Sequence, residues 1–147
     1  MQKGLYLRIE EGRYTFLLPS DDVVSIERRE RLQPDPAETN TRVIARFDID
    51  GTGCPIVRLG QVLGEADGEW GQAVFIRQGV HTVGIAAARV VLISDVEALS
   101  VKPFTMIGST DRSDALYTGV GIQDSRSALV FSNDGLATAA LQYLELN

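Results

Sequence analysis

The stretch DIDGTGCPIVRLGQVLG, Asp48 to Gly64, admits three readings, and the choice among them sets the fold. Its opening resembles a calcium loop, with Asp48, Asp50 and Thr52 on alternate positions and a glycine next. That reading stops at Leu59, where a bidentate Glu is needed, and at Pro55, where the loop would enter a helix. A phosphate loop needs glycine-rich backbone leading at once into a helix, usually with Gly-Lys-Ser/Thr; here a proline and β-branched residues follow. The third reading is turn, strand, turn. VIARFDI alternates, with Val43, Ala45, Phe47 and Ile49 facing inward, Asp50-Gly51 is hairpin chemistry, and CPIVRL is the returning strand.

The same period of two runs outward in both directions. LYLRIE sets Leu5, Leu7 and Ile9 against Tyr6, Arg8 and Glu10, and Gly12 turns the chain into RYTFLL, whose inward set is Tyr14, Phe16 and Leu18. Pro19 ends that strand because it has no N–H to give a ladder. VVSIERR from Val23 is a further short strand, and LQPDPAETNT is a surface loop. GEADGEWGQ is a second polar loop, at which we set the boundary between two lobes. QAVFIRQ and HTVGIAA flank a hairpin glycine, Gly79; RVVLISDV is another apolar run; LSVKPFTMIGSTDRSD reads mostly as loop; LYTGVGIQ and SALVFS are strands around the turn DSR. Only the end changes period: NDGLATAALQYLEL places Leu136, Ala139, Ala140 and Tyr143 on one helical face, with Asn133 or Asp134 as N-cap. About ten strands and one helix predict a mainly β chain of small barrels.

Composition narrows the function. The 147 residues are 44% hydrophobic and 23% charged, an ordinary globular balance, and the net charge of −6 argues against general nucleic-acid binding, which needs clustered cations. Cys54 is the one cysteine, so no intrachain disulfide forms and a structural zinc site lacks thiolates. The charged N-terminus is not a signal peptide, and VGIAAARVVLI is interrupted by Arg89 and too short to span a bilayer, which predicts a cytoplasmic protein without membrane insertion. His81, the one histidine, lies in a hairpin strand, and Cys54 begins a strand; neither has the second and third groups that a catalytic arrangement requires. No catalytic, metal or cofactor residues are assigned. Trp70 has two readings, an interface side chain or a loop residue folded over a lobe edge.

Four blocks in register resemble the CheW-like domain, the adaptor that couples chemoreceptors to the CheA histidine kinase. YLRIEEGRYTFLLPSDDVVSIER is similar to the family's opening hairpin and next strand, GTGCPIVRLGQVLG to its Arg-Gly-x-x-x-Pro-[ILV]-[ILV]-Asp-Leu block, AVFIRQGVHTVGIAAARVVLI to the second lobe's opening hairpin, and LYTGVGIQDSRSALVF to the closing Gly-x-Gly pair. The resemblance implies one domain over residues 1–147: two five-stranded SH3-like barrels side by side, residues 1–68 and 69–132, then a C-terminal helix over 133–147. It implies protein-binding roles for Val23, Ser25, Ile26, Asp50, Gly51, Arg58, Gln72 and Ile93, with a CheA-like regulatory domain and a chemoreceptor-type protein as partners and no cofactor. The chain departs from the family pattern with Asp50 in place of Arg, and with Arg58 and Ala88 in place of Asp. The charge exchanges at Asp50 and Arg58 favour, as an alternative, partners from another pathway such as pilus motility or second-messenger control. Asp50 also predicts weak binding to an ordinary receptor tip. A third reading is a small-ligand binder using the groove between the lobes.

Overall fold

A computed structural model describes residues 5–64, 68–93, 99–104 and 115–145. Eleven strands appear among them: β1 (Tyr6–Glu11), β2 (Tyr14–Pro19), β3 (Val23–Arg28), β4 (Ala45–Ile49), β5 (Thr52–Arg58), β6 (Gln72–Gln78), β7 (His81–Ala87), β8 (Arg89–Ile93), β9 (Leu99–Pro103), β10 (Tyr117–Gln123) and β11 (Arg126–Phe131). A short helix α1 (Leu59–Leu63) follows β5, and α2 (Asn133–Glu145) closes the chain. The strands form a six-stranded sheet in the order β8-β1-β2-β11-β10-β9 and a five-stranded sheet in the order β3-β6-β7-β5-β4. The expected mainly β fold of two lobes with a terminal helix is therefore present. The five-stranded sheet curls toward closure, because Gln33, downstream of β3, bridges Arg46 in β4 at its far edge.

The division of strands between lobes differs from the expected 1–68 and 69–132. β3 follows the β1–β2 hairpin yet pairs with β6, and β8 follows the β6–β7 hairpin yet pairs with β1. Each opening hairpin thus gives its next strand to the other lobe. Alternation fixes which residues face inward but not which sheet a strand joins, so the exchange has no local signal. The sixth strand, β9, falls where a loop was expected. Its pairing with β10 recruits Leu99 and Val101 inward, and Pro103 sits at the strand end. The rest of that loop, residues 105–114, lies outside the described residues, as do residues 65–67 of the mid-chain loop.

The hairpins follow the turn chemistry read from the sequence. Ile49 pairs with Thr52 across Asp50 and Gly51, both at positive φ (50° and 83°), as a type I′ turn requires. Three apolar clusters result. The largest lies between the sheets and under α2, built from Leu7, Ile9, Phe16, Leu18 and Phe131 of one sheet, Val57, Val74, Ile76, Val83 and Ile85 of the other, and Leu136, Ala137 and Ala140 of the helix. The second fills the five-stranded lobe with Leu32, Ala45, Cys54, Ile56, Ala73, Phe75 and Ala86. The third, inside the six-stranded lobe, has Leu17, Ile93 and Val130 as its buried members among the described residues.

The helix is fastened to both lobes. Its cap is Ser132, one residue before the expected positions: Ser132 Oγ accepts from Gly135 N at 3.0 Å. Asn133 Nδ2 instead donates to Pro19 O at 2.8 Å. Gln78 Nε2 donates to Thr138 Oγ1 at 2.8 Å. At the other end, Asn40 Nδ2 and Arg42 Nη1 donate to the carbonyls of Leu144 and Tyr143, groups that a helix terminus leaves without partners.

Candidate protein-interaction surface

The residues singled out from the sequence separate into four places. Val23, Ser25 and Ile26 share β3, which among the described residues has a strand neighbour, β6, on one side only. Val23 packs on the core between the sheets, and Ser25 Oγ donates to Glu27 Oε2. Along β3, half-buried and exposed residues alternate, so Val24 and Ile26 project outward at 37% and 36% exposure. The pairing of β3 with β6 slips between Val23 and Ser25, a bulge that twists the edge beside this apolar pair.

Gln72 lies opposite Arg28 in the next strand, but its side chain is committed: Oε1 accepts from Val90 N at 2.9 Å, a joint where the chain crosses between sheets. Ile93 is 6% exposed and packs inside the six-stranded lobe with Leu17 and Val130, so it presents no contact surface in this arrangement. Asp50 and Gly51 are exposed at the tip of the β4–β5 hairpin, on strands at the opposite end of the sheet order from β3. Arg58 ends β5 and, with Thr41, Arg42, Ile44, Gln61 and Tyr143, lines a cavity of about 410 Å³ beside the end of α2. The structure therefore brings together the β3 residues and Gln72, and leaves Asp50, Arg58 and Ile93 elsewhere.

Sequence reading missed a second apolar surface. The face of the six-stranded sheet that buries Phe16 and Phe131 continues along β2, β10 and β11 to Tyr14, Ile122 and Leu129, all exposed. Tyr14 was expected inward; it lies one step beyond the area that the other lobe and the helix cover. The signal was present in β10 and β11, where apolar residues occur on both faces, an excess that alternation alone does not explain. Trp70, by contrast, is a loop residue folded over a lobe edge: it packs half-buried on the five-stranded core, with the Arg29 guanidinium 4.7 Å from its ring centroid.

The remaining candidates for chemistry lie apart. Cys54 is buried in the five-stranded lobe, where desolvation, and then the Asp48 carboxylate, raise its pKa above the usual thiol value. His81 is exposed at the start of β7. Among the described residues no three His, Cys, Asp or Glu side chains come together to hold a metal, and no helix is long and apolar enough to cross a membrane. The space between the sheets, the expected ligand groove, carries the largest apolar core.

Comparison with known proteins accords with this architecture. No curated protein matches the sequence. Among solved structures the chain is similar to the scaffolding protein TtCheW from Thermoanaerobacter tengcongensis, with a TM-score of 0.64 and 13% identity over 89% of this chain and 90% of that one, a likeness of fold. The model of the CheW-like domain matches residues 3–141, and the chain belongs to that family.

Proposed function

We propose that this chain is a non-catalytic cytoplasmic adaptor that holds the regulatory domain of a CheA-type histidine kinase against a chemoreceptor-type partner. Family and fold support a coupling adaptor of the chemotaxis type in general. The observation that carries the finer reading is the exposed Val24–Ile26 pair on the one-sided strand β3; of the two, Ile26 is a position where the family resemblance sets a partner contact. Edge strands and exposed apolar patches are natural docking elements. The Tyr14–Ile122–Leu129 face supplies a second, separate surface, as an adaptor holding two proteins needs.

The test is binding of the purified chain to a kinase regulatory domain and to a receptor tip fragment. Ile26→Asp should weaken one of these by tenfold or more, and Leu129→Asp should weaken the other, with the fold intact by circular dichroism. Unchanged binding of both partners in both variants would sink the reading. A second reading keeps the adaptor and changes its partners, and Asp50 favours it. An exposed carboxylate where relatives carry a guanidinium repels an acidic receptor site, at a cost on the order of several kcal/mol. Asp50→Arg would confuse charge with strain, because the residue sits at φ 50°; Asp50→Asn removes the charge and tolerates the turn. Stronger receptor-tip binding by Asp50→Asn supports the second reading. Tight wild-type binding that the variant leaves unchanged removes it.

A further inference from the structure

Among the described residues, the six-stranded lobe is open at one end. A cavity of about 1040 Å³ enters it where the β1–β2 and β10–β11 hairpins turn. Its floor is apolar, formed by Leu17, Leu99 and Ala128, and Gly121 adds no side chain to it; a Cβ there would fall 2.1 Å from Leu17 Cδ1. The walls are charged, with Arg8, Arg13 and Arg126 lining the mouth together with Glu10 and Asp124.

The charges do not balance. Glu10 Oε2 lies 3.4 Å from Arg8 Nε and 3.8 Å from Arg89 Nη1, so one carboxylate serves two guanidinium groups. The Nε atom of Arg8 is buried and, among the described residues, has no hydrogen-bond partner of good geometry. Arg13 and Arg126 are exposed and make no ion pair among the described residues. Among the described residues, three guanidinium groups and two carboxylates thus line the mouth, and Arg89 shares Glu10 from outside it, in a chain whose net charge is −6. Guanidinium forks bind oxyanions bidentately, and a concave site with an apolar floor and a few convergent charges has the make-up of a small-molecule pocket, which ranges over about 300–1,000 Å³.

We propose that this mouth binds a phosphorylated small molecule, with its phosphates on Arg8, Arg13 and Arg126 and its apolar part on Leu17, Leu99 and Ala128. The reading goes beyond the coupling function, and its test needs neither kinase nor receptor. Amide chemical shifts of the full chain would be followed on titration with ADP, pyrophosphate, citrate and adenosine. ADP should give saturable shifts centred on Arg8, Arg13, Leu17, Gly121 and Arg126. Pyrophosphate should shift the arginine positions more weakly, and adenosine should shift none. The double variant Arg13→Gln/Arg126→Gln changes two exposed side chains and should weaken ADP at least tenfold while leaving the unperturbed spectrum folded. Absence of saturable shifts with ADP, shifts spread over the surface, or equal affinity in the variant would overturn the proposal. Citrate binding as tightly as ADP would overturn the phosphate assignment, showing a mouth that takes any multivalent anion.

Discussion

The two lobes share a strand order and differ in what they enclose. β8-β1-β2-β11-β10 and β3-β6-β7-β5-β4 correspond strand for strand, each with two hairpins joined by one parallel pair, β2 with β11 and β5 with β7. Among the described residues, the five-stranded lobe is filled by seven buried side chains, Phe75 among them. The six-stranded lobe, despite the added β9, buries three of its described residues and opens among them to a cavity walled by charge. One plan therefore gives a packed support in one copy and a hollow in the other. Chain connectivity does not cause the difference, because the connectivity corresponds. The inward-facing residues cause it: Ile56, Phe75 and Ala86 on one side, Arg8, Glu10, Gly121 and Arg126 on the other.

The largest test of this contrast removes a central side chain from each interior. Phe75 has no exposure and packs at a tilt against Phe47, with 5.4 Å between centroids, so Phe75→Ala leaves a hole that closed walls cannot fill. A loss of about 3–5 kcal/mol is expected. Leu17 borders space that is already open, so Leu17→Ala should cost about 2 kcal/mol, the low end for such a change. Denaturant unfolding of both variants decides, and equal losses would mean that the six-stranded interior is as tightly packed as its counterpart.

Adding atoms probes the same contrast from the other side. A Cβ at Gly84 would lie 2.6 Å from Phe75 Cε1 and 2.8 Å from Ile56 Cγ1, and both neighbours are fully buried. Gly84→Ala should cost about 1–3 kcal/mol by overpacking. At Gly121 the collision is with Leu17 Cδ1, the far end of a side chain beside the cavity, which has room to turn aside. Gly121→Ala should cost less than about 1 kcal/mol, below the usual range for overpacking. A melting-temperature comparison checks the order, and a more harmful Gly121→Ala would break the contrast.

Much of this architecture was legible in the sequence, and the parts that were not have physical reasons. Period two identified ten of the strands, and Asp50-Gly51, Gly12 and Gly79 marked turns that form, because turn chemistry is local. β9 gives no strand signal among the breakers that surround it, because its pairing is supplied by β10. The exchange of β3 and β8 was invisible for the same reason: partner choice is tertiary. That exchange also misplaced Ile93, a strand residue whose inward side belongs to the other lobe. Ser132 was passed over as a cap because Asn133 and Asp134 are equally good capping types, and only the chain path at Pro19 decides among them. That Val24 and Ile26 stand exposed side by side follows from β3 lying at an edge, which its own residues do not show.

A dry interior in the five-stranded lobe also has a titration signature. Burial raises the Cys54 pKa in the folded state, so this thiol contributes stability that is fully present below the unfolded value of about 8.5 and is lost as pH rises toward the folded value. The loss is at most about 1.4 kcal/mol for each pH unit above 8.5. Denaturant midpoints of wild type and Cys54→Ala, measured from pH 8 to pH 10, should converge as the wild type loses this contribution. A constant gap across that range would mean that water reaches the thiol and that this interior is not the dry one.

The smallest expected effect lies at the matching hairpin tips. β4–β5 turns through Asp50 and Gly51 at φ 50° and 83°, and β10–β11 through Asp124 and Ser125 at φ 52° and 64°. Both are two-residue turns with left-handed backbone at each central residue, but only one has glycine in the second place. A non-glycine residue held left-handed costs roughly 1–2 kcal/mol. Introducing glycine gives back about 0.4–1 kcal/mol through the freedom it adds to the unfolded chain. Ser125→Gly should therefore stabilise by roughly 0.5 kcal/mol, the difference between those terms. Gly51→Ser should destabilise by about 1 kcal/mol, since φ there lies further from the left-handed minimum. The two substitutions are mirror exchanges at equivalent positions, so their opposite signs are a sharper check than either size. Denaturant midpoints of the two variants read those signs directly, and loss of stability in both would show that the Ser125 hydroxyl, and not its backbone, governs the second turn.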